Sequence, residues 1–109
     1  MNRETGNLIT RDTPLLERLQ LGRKRLDKPE NWLQGLFTGH GNRYCILGSV
    51  DYVKHPSTEV WDCLKSVIKE LYPGRFPGTV TLWNDQVATY ADVIAVLDRA
   101  IELEKAKVQ

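Results

Sequence analysis

Apolar positions recur at helical spacing over most of the chain. Leu15, Leu19, Gly22 and Leu26 fall at i, i+4, i+7 and i+11, one stripe of a helix. Thr13 can cap that helix and Pro14 suits its first position, where a missing N–H costs nothing. Gly22 within the stripe predicts a close helix–helix approach. Arg18, Arg23, Lys24 and Arg25 lie largely off the stripe and read as a solvated side, and Lys28-Pro29 ends the segment. A second helix is predicted over about residues 43–54, with Ile46, Val50 and Val53 on one face, closed by His55-Pro56. Ser57 or Thr58 starts a third, with Val60, Cys63, Leu64, Val67, Ile68 and Leu71 inward, the clearest amphipathic pattern present. Tyr72-Pro73-Gly74 stops it. The last helix starts at Thr89, where Thr89-Tyr90-Ala91-Asp92 approximates a capping box, and carries Val93, Val96, Leu97, Ala100, Ile101 and Leu103.

Two connectors separate these helices. Residues 29–43 hold Trp32, Leu36 and Phe37, too apolar to stay in water, and Gly39-His40-Gly41 implies a tight turn with positive φ. Residues 75–88 hold Trp83. Thr79-Val80-Thr81-Leu82 reads as a short extended segment, but without a partner strand it is a loop rather than a sheet. The expected fold is all-α: a compact bundle of four main helices with two long packed connectors. Residues 1–11 form a polar N-terminal tail, and residues 12–109 form one helical domain.

Composition changes this picture little. The chain has 109 residues, 41% hydrophobic and 27% charged, with net charge +1. That supports one core, and two domains of such size would each need staples. No apolar run approaches the ~20 residues needed to cross a bilayer, so no membrane association is expected. The two cysteines, Cys45 and Cys63, lack C-x-x-C spacing and read as free thiols in a reducing, cytoplasmic compartment. Residues 1–28 carry seven basic and four acidic residues, net +3, leaving −2 for the rest. This asymmetry is weak grounds for a nucleic-acid face, and no recognition helix accompanies it. Phosphate-loop, dinucleotide-fold, zinc-protease and nucleophile-elbow signatures are all missing from the sequence. An enzyme is therefore less expected than a binding protein, and no cofactor is implied.

Arg43-Tyr44-Cys45-Ile46-Leu47-Gly48-Ser49 is similar to a Trp/Tyr-Cys-x-x-Gly-Ala/Ser helix start, with Ser where Ala is frequent. Trp83-Asn84-Asp85, then Thr89, Asp92-Val93 and Ala100-Ile101, looks like the second half of the same pattern. Together they resemble a small family of bacterial and phage proteins of unknown function. The resemblance spans about residues 13–104 and rests on residues 43–49 and 83–101. It implies one fold unit and an intracellular or phage setting, and it supplies no reaction.

Candidate chemistry divides three ways. The aromatic-rich connectors suggest a non-enzymatic module docking to a protein partner, using Trp32, His40, Arg43, Tyr44, Trp83, Asn84 and Asp85. The same residues admit a small-ligand or nucleotide pocket between the 39–45 turn and the 83–85 loop. In a purely structural role, Trp83 instead fills the core while Asn84 or Asp85 bonds loop backbone. Cys45 near a helix start, five residues after His40, could serve a cysteine-dependent enzyme, or simply pack as a small hydrophobe. His40, His55, Cys45, Asp51 and Asp85 match no structural zinc spacing.

Overall fold

A computed structural model describes residues 9–36, 38, 39, 41, 43–51 and 57–107. Among the described residues are five α-helices, a short 3-10 helix at Pro29–Asn31 and a two-stranded sheet. Helix α1 runs Leu15–Arg25, and strands β1 (Thr38–Gly39) and β2 (Arg43–Tyr44) pair antiparallel, Thr38 opposite Tyr44. Helix α2 is Ile46–Val50, α3 Thr58–Leu71, α4 Val80–Leu82 and α5 Tyr90–Lys107. The wide π-turn Trp83–Val87 continues α4 directly.

The core is the one the apolar stripes draw. Leu19 and Leu26 of the first stripe, Val60, Leu64, Val67 and Ile68 of α3, and Val93, Val96, Leu97 and Ala100 of α5 are buried. Gly22 sits where α1 meets α2: an added Cβ would lie 2.2 Å from Val50 Cγ1 and 3.1 Å from the Ser49 carbonyl oxygen. The predicted capping box also forms. Thr89 N–H donates to Asp92 Oδ2 at 3.0 Å, and Asp92 N–H donates to Thr89 Oγ1 at 3.2 Å. The Tyr90 hydroxyl donates to the Leu26 carbonyl at 2.5 Å, fixing the start of α5 against the end of α1.

Four local expectations change. The helix expected over 43–54 is only Ile46–Val50 among the described residues, because Arg43 and Tyr44 belong to β2. Cys45 caps α2, its Sγ accepting from Gly48 N–H at 3.3 Å, and the chain is extended again at Asp51. Val53, Lys54 and the His55-Pro56 break lie outside the described residues. The extended segment at 79–82 is instead helical: Thr79 Oγ1 caps it by accepting from Leu82 N–H at 3.1 Å. Thr13 does not cap α1. Its hydroxyl accepts from Thr10 N–H at 2.9 Å, and Pro14 occupies the cap position.

The fourth change concerns Arg18, which is buried rather than solvated. Its guanidinium meets Asp51 Oδ1 at 2.7 Å, with both side chains about 5% exposed or less. It also donates to the carbonyls of Thr13, Thr10 and Arg11. Asp51 in turn accepts from Ser57 N–H and from the Trp61 indole at 3.1 Å. A buried charge pair is tolerated only when its remaining donors and acceptors are satisfied, and here they are. The pair ties α1, the end of α2 and the start of α3 together, and holds Thr10 and Arg11 of the expected tail in place. Ile9 is buried as well. Residues 1–8 of that tail lie outside the described chain.

Candidate functional site

The two connectors meet. Their meeting point is the Asn84 side chain, which has no exposed surface. Its Oδ1 accepts from the Trp32 indole N–H at 2.8 Å and from Ile46 N–H at 3.0 Å. Its Nδ2 donates to the Leu33 carbonyl at 3.1 Å and to Asp85 Oδ1 at 2.9 Å. One amide thereby joins the first connector, the start of α2 and the π-turn. Gly35 N–H donates to Asp85 Oδ1 at 2.9 Å. The carbonyls of Asn84 and Asp85, in the last turn before Ala88, accept from Gln34 Nε2 at 3.0 and 3.1 Å. The π-turn closes when Ala88 N–H reaches the Trp83 carbonyl at 2.9 Å.

Between these locked segments lies an open pocket of about 340 Å³, lined by Gly35, Leu36, Cys45, Thr81 and Asp85. Leu36 is 64% exposed, and Leu82, next to Thr81 on α4, is 38% exposed; no other large hydrophobic residue among the described ones is comparably open. Asp85 spends one carboxylate oxygen on Gly35 and Asn84, and its Oδ2 accepts no hydrogen bond from the described residues. The pocket is thus an apolar notch with one carboxylate able to accept from a visitor.

The residues singled out from the sequence take distinct places here. Trp83 is 1% exposed, its ring 6.1 Å from that of Tyr72, and fills the core. Trp83 and Asn84 therefore shape the pocket from behind and offer no surface to a ligand. Trp32 is half-buried, its ring 6.5 Å from Tyr90. Tyr44 is half-buried under the Arg25 guanidinium, 5.0 Å from the ring centroid, and its carbonyl accepts from Leu33 N–H. Arg43 is exposed, and its side chain makes no hydrogen bond or ion pair with the described residues. His40 lies outside the described residues. Of the six that are described, Asp85 alone lines the cavity. Gln34, Leu36 and Thr81 do so or brace it without having been singled out for it. Gln34 carried no sequence signal, whereas exposed Leu36 was visible as an apolar residue in a connector.

Cys45 lines the pocket but is 3% exposed. Burial pushes its thiol above the ordinary value and the Asp85 charge adds to this, against the lowering effect of the Gly48 and Leu47 N–H groups. A nucleophilic cysteine needs the opposite environment. Cys63 is likewise pushed up to about 11, chiefly by burial. No three His, Cys, Asp or Glu side chains among the described residues come together to hold a metal ion. No helix among them is long and apolar enough to cross a membrane.

A second cavity, about 390 Å³, opens between α1, α3 and the end of α5. Its walls carry Glu59, Asp62 and Glu104, and Lys107 pairs with Glu104 at 2.7 Å along the α5 wall. No described residue of either connector lines it.

Comparison with curated proteins and with solved structures gave no match. A family model does match, over residues 10–103, which include both connectors and every helix start described above. The chain therefore belongs to the family of unknown function DUF6197.

Proposed function

We propose that this protein is a non-enzymatic binding module that docks a protein partner at the pocket between its connectors, receiving an apolar side chain of that partner. The observation that carries the reading is Leu36, 64% exposed on the lining of a notch whose walls are already fixed by hydrogen bonds. An exposed leucine on a rigid frame favours burial by a partner, since it recovers transfer free energy with little ordering cost. The unshared Asp85 oxygen suits a peptide N–H or a cationic side chain next to the apolar anchor. It disfavours the nucleotide alternative, because a carboxylate in the notch repels phosphate. The buried, raised-pKa Cys45 thiol argues against the cysteine-enzyme alternative. Free Cys45 and Cys63 fit a reducing, cytoplasmic setting.

The test is selection from an immobilised random peptide library, followed by amide chemical-shift mapping of the winners. Selected peptides should share an apolar residue flanked by a donor and should perturb Gly35, Leu36, Cys45, Thr81 and Asp85. Leu36→Asp, at an exposed site, should weaken them at least tenfold while leaving the fold intact. Winners that map to the α1–α3–α5 cavity, or that ignore Leu36→Asp, would overturn the reading.

A further inference from the structure

The cations of this chain are not treated alike. Arg18, Arg23, Arg99 and Lys107 each meet a carboxylate at 2.9 Å or less. Lys65, Lys69 and Arg75 make no ion pair with the described residues. They gather instead on aromatic rings at the C-terminal end of α3. Lys65 Nζ is 6.0 Å and Lys69 Nζ 5.4 Å from the Phe76 ring centroid, and Arg75 Cζ is 5.8 Å from that of Tyr72. Two ammonium groups over one ring repel each other, and the ring face compensates only in part.

Most carboxylates in the neighbourhood are engaged elsewhere. Glu70 is held by Arg99 through two hydrogen bonds, at 3.0 and 2.9 Å. Asp92 serves the Thr89 cap and also lies near enough to the Tyr72 hydroxyl and Arg75 for both to favour its charge, so it offsets one of the three cations in part. Asp62, one turn before Lys65, lines the cavity toward α5. The face is left with an excess of positive charge on a platform of rings, Phe76 being half-buried and packed on the core.

We propose that the Lys65–Lys69–Arg75 face is a docking surface for an acidic segment of a protein partner. Charge complementarity names the chemistry: the cations span two rings and two chain segments, which suits several separated carboxylates rather than one small anion. Three cations on a chain of net charge +1 neutralise too few phosphates for strong nucleic-acid binding. This surface is separate from the connector pocket and does not depend on it.

The experiment titrates the protein with a polyglutamate peptide, and in parallel with a single-stranded oligonucleotide, reading amide shifts. Saturable shifts confined to Lys65, Lys69, Tyr72, Arg75 and Phe76 are expected with the peptide. They should weaken at least fivefold in Lys65→Gln/Lys69→Gln, a double change at exposed sites. Raising salt from about 50 to about 200 mM should weaken binding as well. Leu36→Asp should leave this binding unchanged, which separates its failure from failure of the pocket reading. Shifts spread evenly over Lys24, Lys28 and Arg43, or indifference to the double change, would overturn the proposal. So would an oligonucleotide that binds this face more tightly than the peptide.

Discussion

Replacing Gly22 by Ala sets two known effects against each other. Ala is the better helix former, and mid-helix the exchange alone should stabilise α1 by about 1 kcal/mol. The new methyl would stand 2.2 Å from Val50 Cγ1, where carbon atoms in contact want roughly 3.5–4.0 Å. Val50 has no exposed surface, and its branched side chain has few rotamers to escape into. On the other side Ser49 presses with its carbonyl oxygen at 3.1 Å, and backbone does not rotate away. α1 and α2 must therefore part by more than about 1 Å, loosening Leu19 and Leu26 against Ile46 and Leu47. Overpacking of this kind costs roughly 1–3 kcal/mol. With two rigid neighbours the upper end applies, so the net loss should be about 2 kcal/mol. Urea unfolding followed by tryptophan emission measures it, and thermal unfolding should show a fall of about 10 °C. Gln20→Ala, exposed on the same helix, should stay within about 0.5 kcal/mol of the parent. In the double variant Gly22→Ala/Val50→Ala the two changes should couple favourably by at least about 1 kcal/mol. A Gly22→Ala protein as stable as the parent would refute the close approach on which this rests.

Asn84→Ala leaves Ile46 N–H and the Leu33 carbonyl without their partner and should cost about 3 kcal/mol, with a shift in Trp32 emission; a loss below about 1 kcal/mol would deny the node its role. Thr89→Ala should cost about 1 kcal/mol in the same unfolding assay, through the lost cap. Burial works against the Asp92 charge, but the Thr89 N–H, the Tyr72 and Thr89 hydroxyls and Arg75 outweigh it and hold its carboxyl below the ordinary 3.8. Its contribution should therefore be complete above about pH 5 and fade as pH falls through the lowered value, and Asp92→Asn should flatten that slope in acid titrations of stability. Iodoacetamide at neutral pH should alkylate native Cys45 far more slowly than the unfolded chain; rapid native labelling would restore the thiol as a nucleophile.

What the sequence disclosed was whatever depends on near neighbours along the chain. The α1, α3 and α5 stripes, the Thr89–Asp92 box and the small residue at the α1–α2 crossing each follow from spacing or side-chain size. The meaning of Trp83-Asn84-Asp85 is half legible: a core place for Trp83 and a backbone bond from Asn84 or Asp85 follow from the residue types, the fourfold use of Asn84 does not. Its partners lie up to 52 positions away. Arg18 misled for the same reason, since its carboxylate is 33 residues off and position on a wheel says nothing of it. Strands of two residues are too short for alternation to register, so β1 and β2 passed for turn and helix. Thr79-Val80-Thr81-Leu82 has strand-like alternation, yet the Thr79 hydroxyl claims the Leu82 N–H and makes a cap of it. For the site, Asp85 was within reach of reasoning, while Gln34 and Thr81 owe their placement wholly to how the connectors cross.

The amide of Asn84 has a dynamic consequence. Because segments of chain up to 52 residues apart share that single side chain, neither link can come loose without stranding groups on the other. The two must open as one cooperative unit, so breathing of the notch is all-or-none rather than gradual. A visitor that braces either wall would thereby quiet both.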